Sequence, residues 1–284
     1  MYAITGITGQ VGGAVAATLL DRHIEVRAVA RDIGRAEAWI ARGCEVAPAD
    51  FADIPALTKA FSQIDGVFVV LPPAFDPSPG FPEARAIIGN ILAALRAAAP
   101  PKVVALSTIG AQANEPNLLS QLGLLEDGLR TLSMPVTIVR PAWFIENAAW
   151  DVADARSGHI YSYLQPLDKA LPMVSVADVG RLAGGCLLET WEGLRTIEVE
   201  GAERVSPNDL AAALAEVLGH KVTAEAVART EWEALFRAQG MRYPLPRMRM
   251  LDGFNAGWID FPDGSATSRK GRIGLIEAVR RLCL

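Results

Sequence analysis

The chain has 284 residues, 51% of them hydrophobic and 21% charged, with a mean hydropathy of +0.23, which excludes a disordered or fibrous chain and permits one large core with a smaller lobe. A net charge of -5 and a pI near 5.4 exclude an extended nucleic-acid grip, because neutralising phosphates takes a basic face and no block of Lys and Arg occurs. The three cysteines, Cys44, Cys186 and Cys283, are far apart and lack Cys-x-x-Cys or Cys/His spacing, so they read as reduced thiols of a cytoplasmic protein holding no metal.

Tyr2-Ala3-Ile4-Thr5 is a short apolar strand where a signal peptide would be charged, and no apolar run approaches the roughly 20 residues of a membrane helix. The expectation is a chain that is neither exported nor inserted in a membrane. Next come Gly6-Ile7-Thr8-Gly9-Gln10-Val11-Gly12 and an Ala-rich helix from Gly13 to Leu20. A second strand is predicted over 23–30, a helix over 33–42 stopped by Gly43, and a third strand over 44–47. A helix over 53–61 has Asp53 as N-cap and Pro55 in its first turn.

Val67 to Leu71 is a buried strand, and the Pro-rich stretch 72–82 after it reads either as a mobile cover or as a rigid surface loop. A long helix over 83–99 ends at Pro100-Pro101, a strand over 103–106 ends at Ser107-Thr108, and a helix over 118–132 leads to a strand over 136–139. Continuous apolar strands alternating with helices call for a doubly wound parallel sheet, an α/β Rossmann architecture. Beyond Pro141 the rhythm changes to short strands over 196–199 and 222–227 with a helix over 207–218. This predicts a dinucleotide-binding domain over 1–150 and a smaller α+β substrate lobe over 151–284, some segments of which return to the main domain.

A pyrophosphate needs backbone amides at a helix N-terminus and no side chain blocking its approach. Gly6, Gly9 and Gly12 meet that need, because they follow a strand and open a helix. Thr8, Gln10 and Val11 belong to the same loop. At the end of the second strand, Arg31 offers a planar fork to a ribose 2′-phosphate and Arg35 stands one helical turn later. NADP(H) is therefore expected, with NAD(H) as the alternative through Asp32.

The GxxGxxG spacing resembles the extended and atypical branches of the short-chain dehydrogenase/reductase superfamily. Val139-Arg140-Pro141-Ala142-Trp143-Phe144-Ile145-Glu146-Asn147 resembles a segment of NmrA-like proteins. Ser107-Thr108-Ile109-Gly110-Ala111, Val174-Ser175-Val176-Ala177-Asp178-Val179 and Gly257-Trp258-Ile259-Asp260-Phe261 resemble the same group. The resemblance covers nearly the whole chain and includes quinone oxidoreductase-like members. It implies that Asp50-Phe51 contacts adenine, and the expected cofactor set is completed by Leu71, Pro72, Pro73, Ser107, Pro141, Trp143 and Phe144.

Short-chain enzymes protonate an alkoxide with a Tyr whose pKa a Lys four residues later lowers. Counted back from Glu126, those positions hold Leu118 and Leu122, expected on one helix face and unable to move a proton. A quinone avoids the difficulty, since hydride addition leaves a delocalised, weakly basic anion that water can protonate. The acceptor slot expected for it comprises Phe75, Trp143, Asn147, Trp150, Phe254 and Trp258, with Ser107 and Thr108 donating to an acceptor oxygen. These residues predict an NADPH-dependent reductase of a quinone-like or conjugated small acceptor. Alternatives are a non-catalytic NADP(H)-binding redox sensor with a regulatory protein partner, and a reductase of imines or olefins. A homodimer is compatible with either.

Overall fold

Side chains alternate across a strand, so a strand covered on both faces must be apolar at every position. β1 shows the rule: Ile4 enters one hydrophobic cluster and Ala3 the other, both fully buried. The computed structural model describes residues 1–284. Its first half contains β1 (Tyr2–Thr5), α1 (Gln10–Leu20), β2 (Val26–Ala30), α2 (Glu37–Ala41), β3 (Glu45–Pro48), α3 (Ile54–Ala60), β4 (Gly66–Val70), α4 (Pro82–Ala98), β5 (Val103–Leu106), α5 (Ser120–Leu129) and β6 (Val136–Pro141). Next come β7 (Trp143–Phe144), α6 (Val152–Ala155), β8 (His159–Ser162), β9 (Met173–Val174), α7 (Val176–Leu188) and β10 (Leu194–Glu200). The chain ends with α8 (Pro207–Leu218), β11 (Thr223–Ala226), α9 (Trp232–Ala238), α10 (Leu245–Ala256), β12 (Arg269–Lys270) and α11 (Leu275–Cys283).

Eight strands form one sheet in the order β12-β10-β6-β5-β4-β1-β2-β3, paired in parallel throughout. α1 and α7 contribute Val15, Leu19, Val179 and Leu187 to one face. α3, α4 and α5 contribute Leu57, Ile91, Leu95 and Leu125 to the other. This is the doubly wound α/β fold the sequence implies. Two short parallel pairs, β8 with β11 and β7 with β9, lie outside the main sheet.

Where local structure departs from the sequence expectation, short-range hydrogen bonds explain it. The helix expected over 33–42 divides into a 3-10 turn at Gly34–Ala36 and the short α2, because the Asp32 carboxylate accepts the Gly34 amide at 2.9 Å and shapes a turn first. α5 starts late because Asn117 Oδ1 accepts the Leu119 amide at 2.8 Å and Ser120 Oγ accepts the Asn117 amide at 3.0 Å. β2 starts at Val26 because the Ile24 amide turns back to the Leu19 carbonyl at 3.0 Å. The strand expected over 196–199 is the longer β10, which pairs with β6 in the main sheet.

The contact between α1 and α7 depends on absent side chains. A Cβ built on Gly180 would lie 2.4 Å from the Ala14 Cβ and 2.9 Å from the Ala14 oxygen, and one on Gly184 would lie 2.9 Å from Thr18 Cγ2. Replacing Gly180 by Val must therefore push the helices apart, at a cost of about 1–3 kcal/mol for overpacking. Urea denaturation of Gly180→Val should show a lower midpoint; an unchanged midpoint would contradict this account of the interface.

Candidate functional site

Parallel pairing puts the carboxyl ends of all the main strands on one edge, and the chain reverses direction across the sheet between β1 and β4. Ligands of such sheets bind in the crevice at that reversal. Gly6 turns the chain there with φ +62°, and a Cβ on it would sit 2.4 Å from Val70 Cγ1 on β4. A Cβ on Gly12 would sit 2.3 Å from the Gly6 oxygen, so only glycine lets α1 start this close to the turn.

α1 begins at Gly9 with no capping side chain and no acidic residue in its first turn. The first helical bond runs from the Gly13 amide to the Gly9 oxygen at 2.9 Å, which leaves the amides of Gln10, Val11 and Gly12 without a protein acceptor. Thr8, Gly9 and Gln10 are exposed. Free amides at the positive end of a helix suit a diphosphate. Thr5, which the sequence reading passed over, locks this corner: its hydroxyl donates to the Phe68 carbonyl at 3.1 Å and accepts the Val70 amide at 3.0 Å.

The ends of β2 and β3 form the second part of the crevice. Arg31 is 77% exposed with its Nε 3.8 Å from Asp50 Oδ2. Arg35 is exposed and makes no ion pair, whereas Asp32 is occupied with the Gly34 amide. Asp50 also accepts the Ala52 amide at 2.8 Å, and the carbonyl of half-buried Phe51 accepts Asn90 Nδ2 at 3.0 Å. The structure thus brings Arg31 and Asp50 to one corner, with Phe51 beside them in the chain.

At the ends of β5 and β6 the sequence reading missed a buried charge network. Ser107 Oγ donates to Glu126 Oε1 at 2.5 Å, and Arg140 binds the same carboxylate through Nε at 2.8 Å and Nη2 at 2.6 Å. Burial alone would lower the Arg140 pKa, but hydrogen bonding and charge from Glu126, with Glu198, outweigh it and raise it. The Ser107 hydrogen is committed to Glu126, so the donation to an acceptor oxygen expected of Ser107 is lost in this arrangement. Thr108 makes no side-chain hydrogen bond and is half-buried at the end of β5. The signal for the network was an Arg inside an apolar strand and a Glu on an otherwise apolar helix face.

Leu71 is buried beyond β4, with Pro72 half-buried and Pro73 exposed. The stretch beyond is tied at two points: the Ala74 carbonyl accepts Gln121 Nε2 at 3.1 Å, and the Asp76 carboxylate accepts the amides of Arg242 and Tyr243 at 2.8 and 2.6 Å. Leu118 does not share a helix face with Leu122, contrary to expectation. It lies in the turn before α5 and packs into the cluster around α1, while Leu122 packs into the opposite one.

The six residues expected as one aromatic slot separate into two groups. Trp143 meets Phe254 edge to face at 5.3 Å, and Phe254 is fully buried because it lies on the core face of α10. Trp258 packs over Gly253 on the same helix. Phe75 and Trp150, 53% and 65% exposed, form a separate edge-to-face pair at 6.4 Å. Asn147 is half-buried with its amide unbonded, whereas the neighbouring Glu146 accepts Ser175 Oγ and the Val176 amide at the start of α7. Buried Pro141 accepts the Ile109 amide at 2.8 Å, and Phe144 pairs with Val174. Two cavities, of about 400 and 360 Å³, lie at Pro77, Arg237, Tyr243 and Leu245 and at Arg140, Glu198 and Arg269, so neither is lined by the glycine loop. The unbonded amides of α1, with the open crevice beside them, locate the candidate cofactor site better than cavity size does.

Asp151 follows Trp150 and its side chain makes no hydrogen bond; burial, with the nearby Asp154 charge, raises its pKa from 3.8 to about 6. The folded state then holds this proton more tightly than the unfolded one, so the associated stability is full below pH 3.8 and is lost as pH rises through about 6. Asp151→Asn should be more stable than the parent at pH 8, with the gain vanishing near pH 4. Parallel pH profiles of denaturation midpoint for the two proteins would contradict this.

The NAD(P)H-binding family matches residues 6–189. The chain is 25% identical over 244 residues to the NAD(P)H azoreductase of Xenophilus azovorans, covering 85% of this chain and 82% of that protein. It is 30% identical over 231 residues to the (4-alkanoyl-5-oxo-2,5-dihydrofuran-3-yl)methyl phosphate reductase of Streptomyces griseus, covering 79% and 76%. Among solved structures, the NADPH-dependent quinone oxidoreductase of Escherichia coli complexed with NADPH superimposes with a TM-score of 0.82 at 24% identity over 99% of both chains. With its glycine turn, bare helix start and five of the eight strands of the parallel sheet inside the matched span, the chain belongs to the NAD(P)H-binding family.

Proposed function

We propose that this protein is an NmrA-like reductase that uses NADPH to reduce a quinone-like or otherwise conjugated small acceptor without a Tyr/Lys pair. The observation that carries the reading is the bare amide start of α1 at the reversal of the sheet, beside a β5 end where the Ser107 hydroxyl is spent on Glu126 and no Tyr or Lys occurs between Ser107 and Leu132. The family and relatives support it: an azoreductase and a quinone oxidoreductase both act on conjugated acceptors.

The residues present suit a dinucleotide. Gln10, Val11 and Gly12 offer amides to the diphosphate, Gly6 and Gly12 leave room for it, and Arg31 with Arg35 holds a 2′-phosphate. Asp32 spends Oδ1 on the Gly34 amide, which leaves Oδ2 for the ribose bonds that NAD(H) would need. Leu71, Pro72, Pro73, Pro141, Trp143 and Phe144 would hold the nicotinamide end. The bound nicotinamide supplies the hydride. Thr108 has its hydroxyl free for an acceptor oxygen. Product protonation is left to solvent, which suffices for a stabilised anion and not for an alkoxide.

Purified protein loaded with NADPH and mixed rapidly with menadione should lose cofactor absorbance at enzyme-like rates. Tight NADPH binding without oxidation by any quinone would overturn the reading and favour a redox sensor. Arg31→Ala should weaken NADPH binding by roughly tenfold or more, as expected for a lost charge-assisted contact, and leave NADH binding nearly unchanged. Equal weakening of both would refute the phosphate role of Arg31.

A further inference from the structure

Arginines away from solvent in this protein carry oxygen partners. Arg27 binds Glu45 and the carbonyls of Ala60 and Ser62, and Arg204 holds Asp260 through two bonds of 2.7 and 2.8 Å. Half-buried Arg195 lies over the Trp191 ring at 4.5 Å and still binds Thr137 Oγ1 at 2.8 Å and Glu189 at 2.6 Å. Arg247 is the exception. Its guanidinium lies 4.5 Å from the Phe236 ring centre, and its one polar contact is the Met241 sulfur at 3.8 Å, with no carboxylate or carbonyl. Burial lowers its pKa below the ordinary arginine value. A half-buried cation on an aromatic bed with its donors unspent is an anion receptor.

Its place in the fold matches the site. Arg247, Leu251 and Phe254 follow one another at spacings that share a face of α10, and the buried Phe254 meets Trp143 of β7. The preceding carbonyl, of Pro246, accepts the Leu118 amide at 2.9 Å, and Gln121 bridges from Leu118 to Ala74. Arg247 therefore lies beside the junction of the β4 and β5 loops with the C-terminal lobe.

We propose that Arg247 binds an oxyanion, carboxylate or phosphate, carried by the acceptor. This rests on the acceptor site assigned above and adds that natural acceptors are anionic. Bidentate binding by a guanidinium fixes the orientation of the ring as well as adding affinity.

Calorimetric titration of the NADP+-loaded protein with 1-naphthoate, 1-naphthyl phosphate and neutral 1-naphthalenemethanol tests the proposal without turnover. At least one anion should bind roughly tenfold or more tightly than the neutral ring, as charge-assisted hydrogen bonds require, and the tighter anion identifies the group. Arg247→Met, which keeps the aliphatic packing, should abolish that preference, Arg247→Lys should keep part of it, and NADPH affinity reports that both variants are folded. Equal binding of neutral and anionic rings by the parent protein, no anion binding, or a preference that survives Arg247→Met would overturn the proposal. If the preference depends on Arg247 yet no quinone is reduced, the anion site stands and the hydride-acceptor reading falls.

Discussion

The approach of α1 to the turn after β1 is the constraint on which the rest of the structure depends. With the position for a Gly12 Cβ only 2.3 Å from the Gly6 oxygen, any side chain there would move the helix, its free amides and everything packed behind it. α7 is pressed against the other side of α1 through Gly180, and α7 begins where Glu146 caps it from the segment after β6. A single backbone contact therefore reaches, through two helices and one carboxylate, the segment that carries Trp143 and Asn147. The site at the sheet edge and the packing of the helices share one geometry.

A second device fixes the far end of the crevice. Removing Glu126 and Arg140 from water is costly, and their attraction offsets that cost only when the remaining valences are filled. Ser107 and the two Arg140 donors fill the Glu126 carboxylate, and Arg140 also reaches Glu198 at 3.5 Å on β10. The network ties β5, α5, β6 and β10 together directly below Thr108. An apolar cluster of the same volume would hold the strands equally well, but it would not fix their register against slippage or aim the Ser107 backbone so narrowly.

Much of the fold was legible because the central strands are continuous apolar runs and the helices between them have clear stops. β1, β5 and α8 have the expected bounds, and Asp53 caps α3 through the Ala56 amide at 2.9 Å. The glycine loop was legible for the same reason, since a turn that admits no Cβ leaves its mark in the sequence. Hidden features depend on partners distant in sequence. Nothing local shows that Ser107 faces a Glu 19 residues later, that Phe254 turns inward while Trp150 turns outward, or that Asn117 and Ser120 delay α5 and send Leu118 and Leu122 into different cores. β10 was misplaced in the smaller lobe because an edge-proximal strand with polar residues lacks the apolar run of its neighbours.

The central claim is that hydride leaves a cofactor held by α1 and reaches the acceptor without an acid from the protein. Single-turnover reduction of a quinone with NADPH carrying deuterium at the transferred position, measured in H2O and D2O, tests it most directly. The account predicts slowing by the deuterated cofactor and no slowing by D2O. A rate that falls in D2O and is indifferent to cofactor deuteration would show that a proton transfer limits the reaction and would contradict the account.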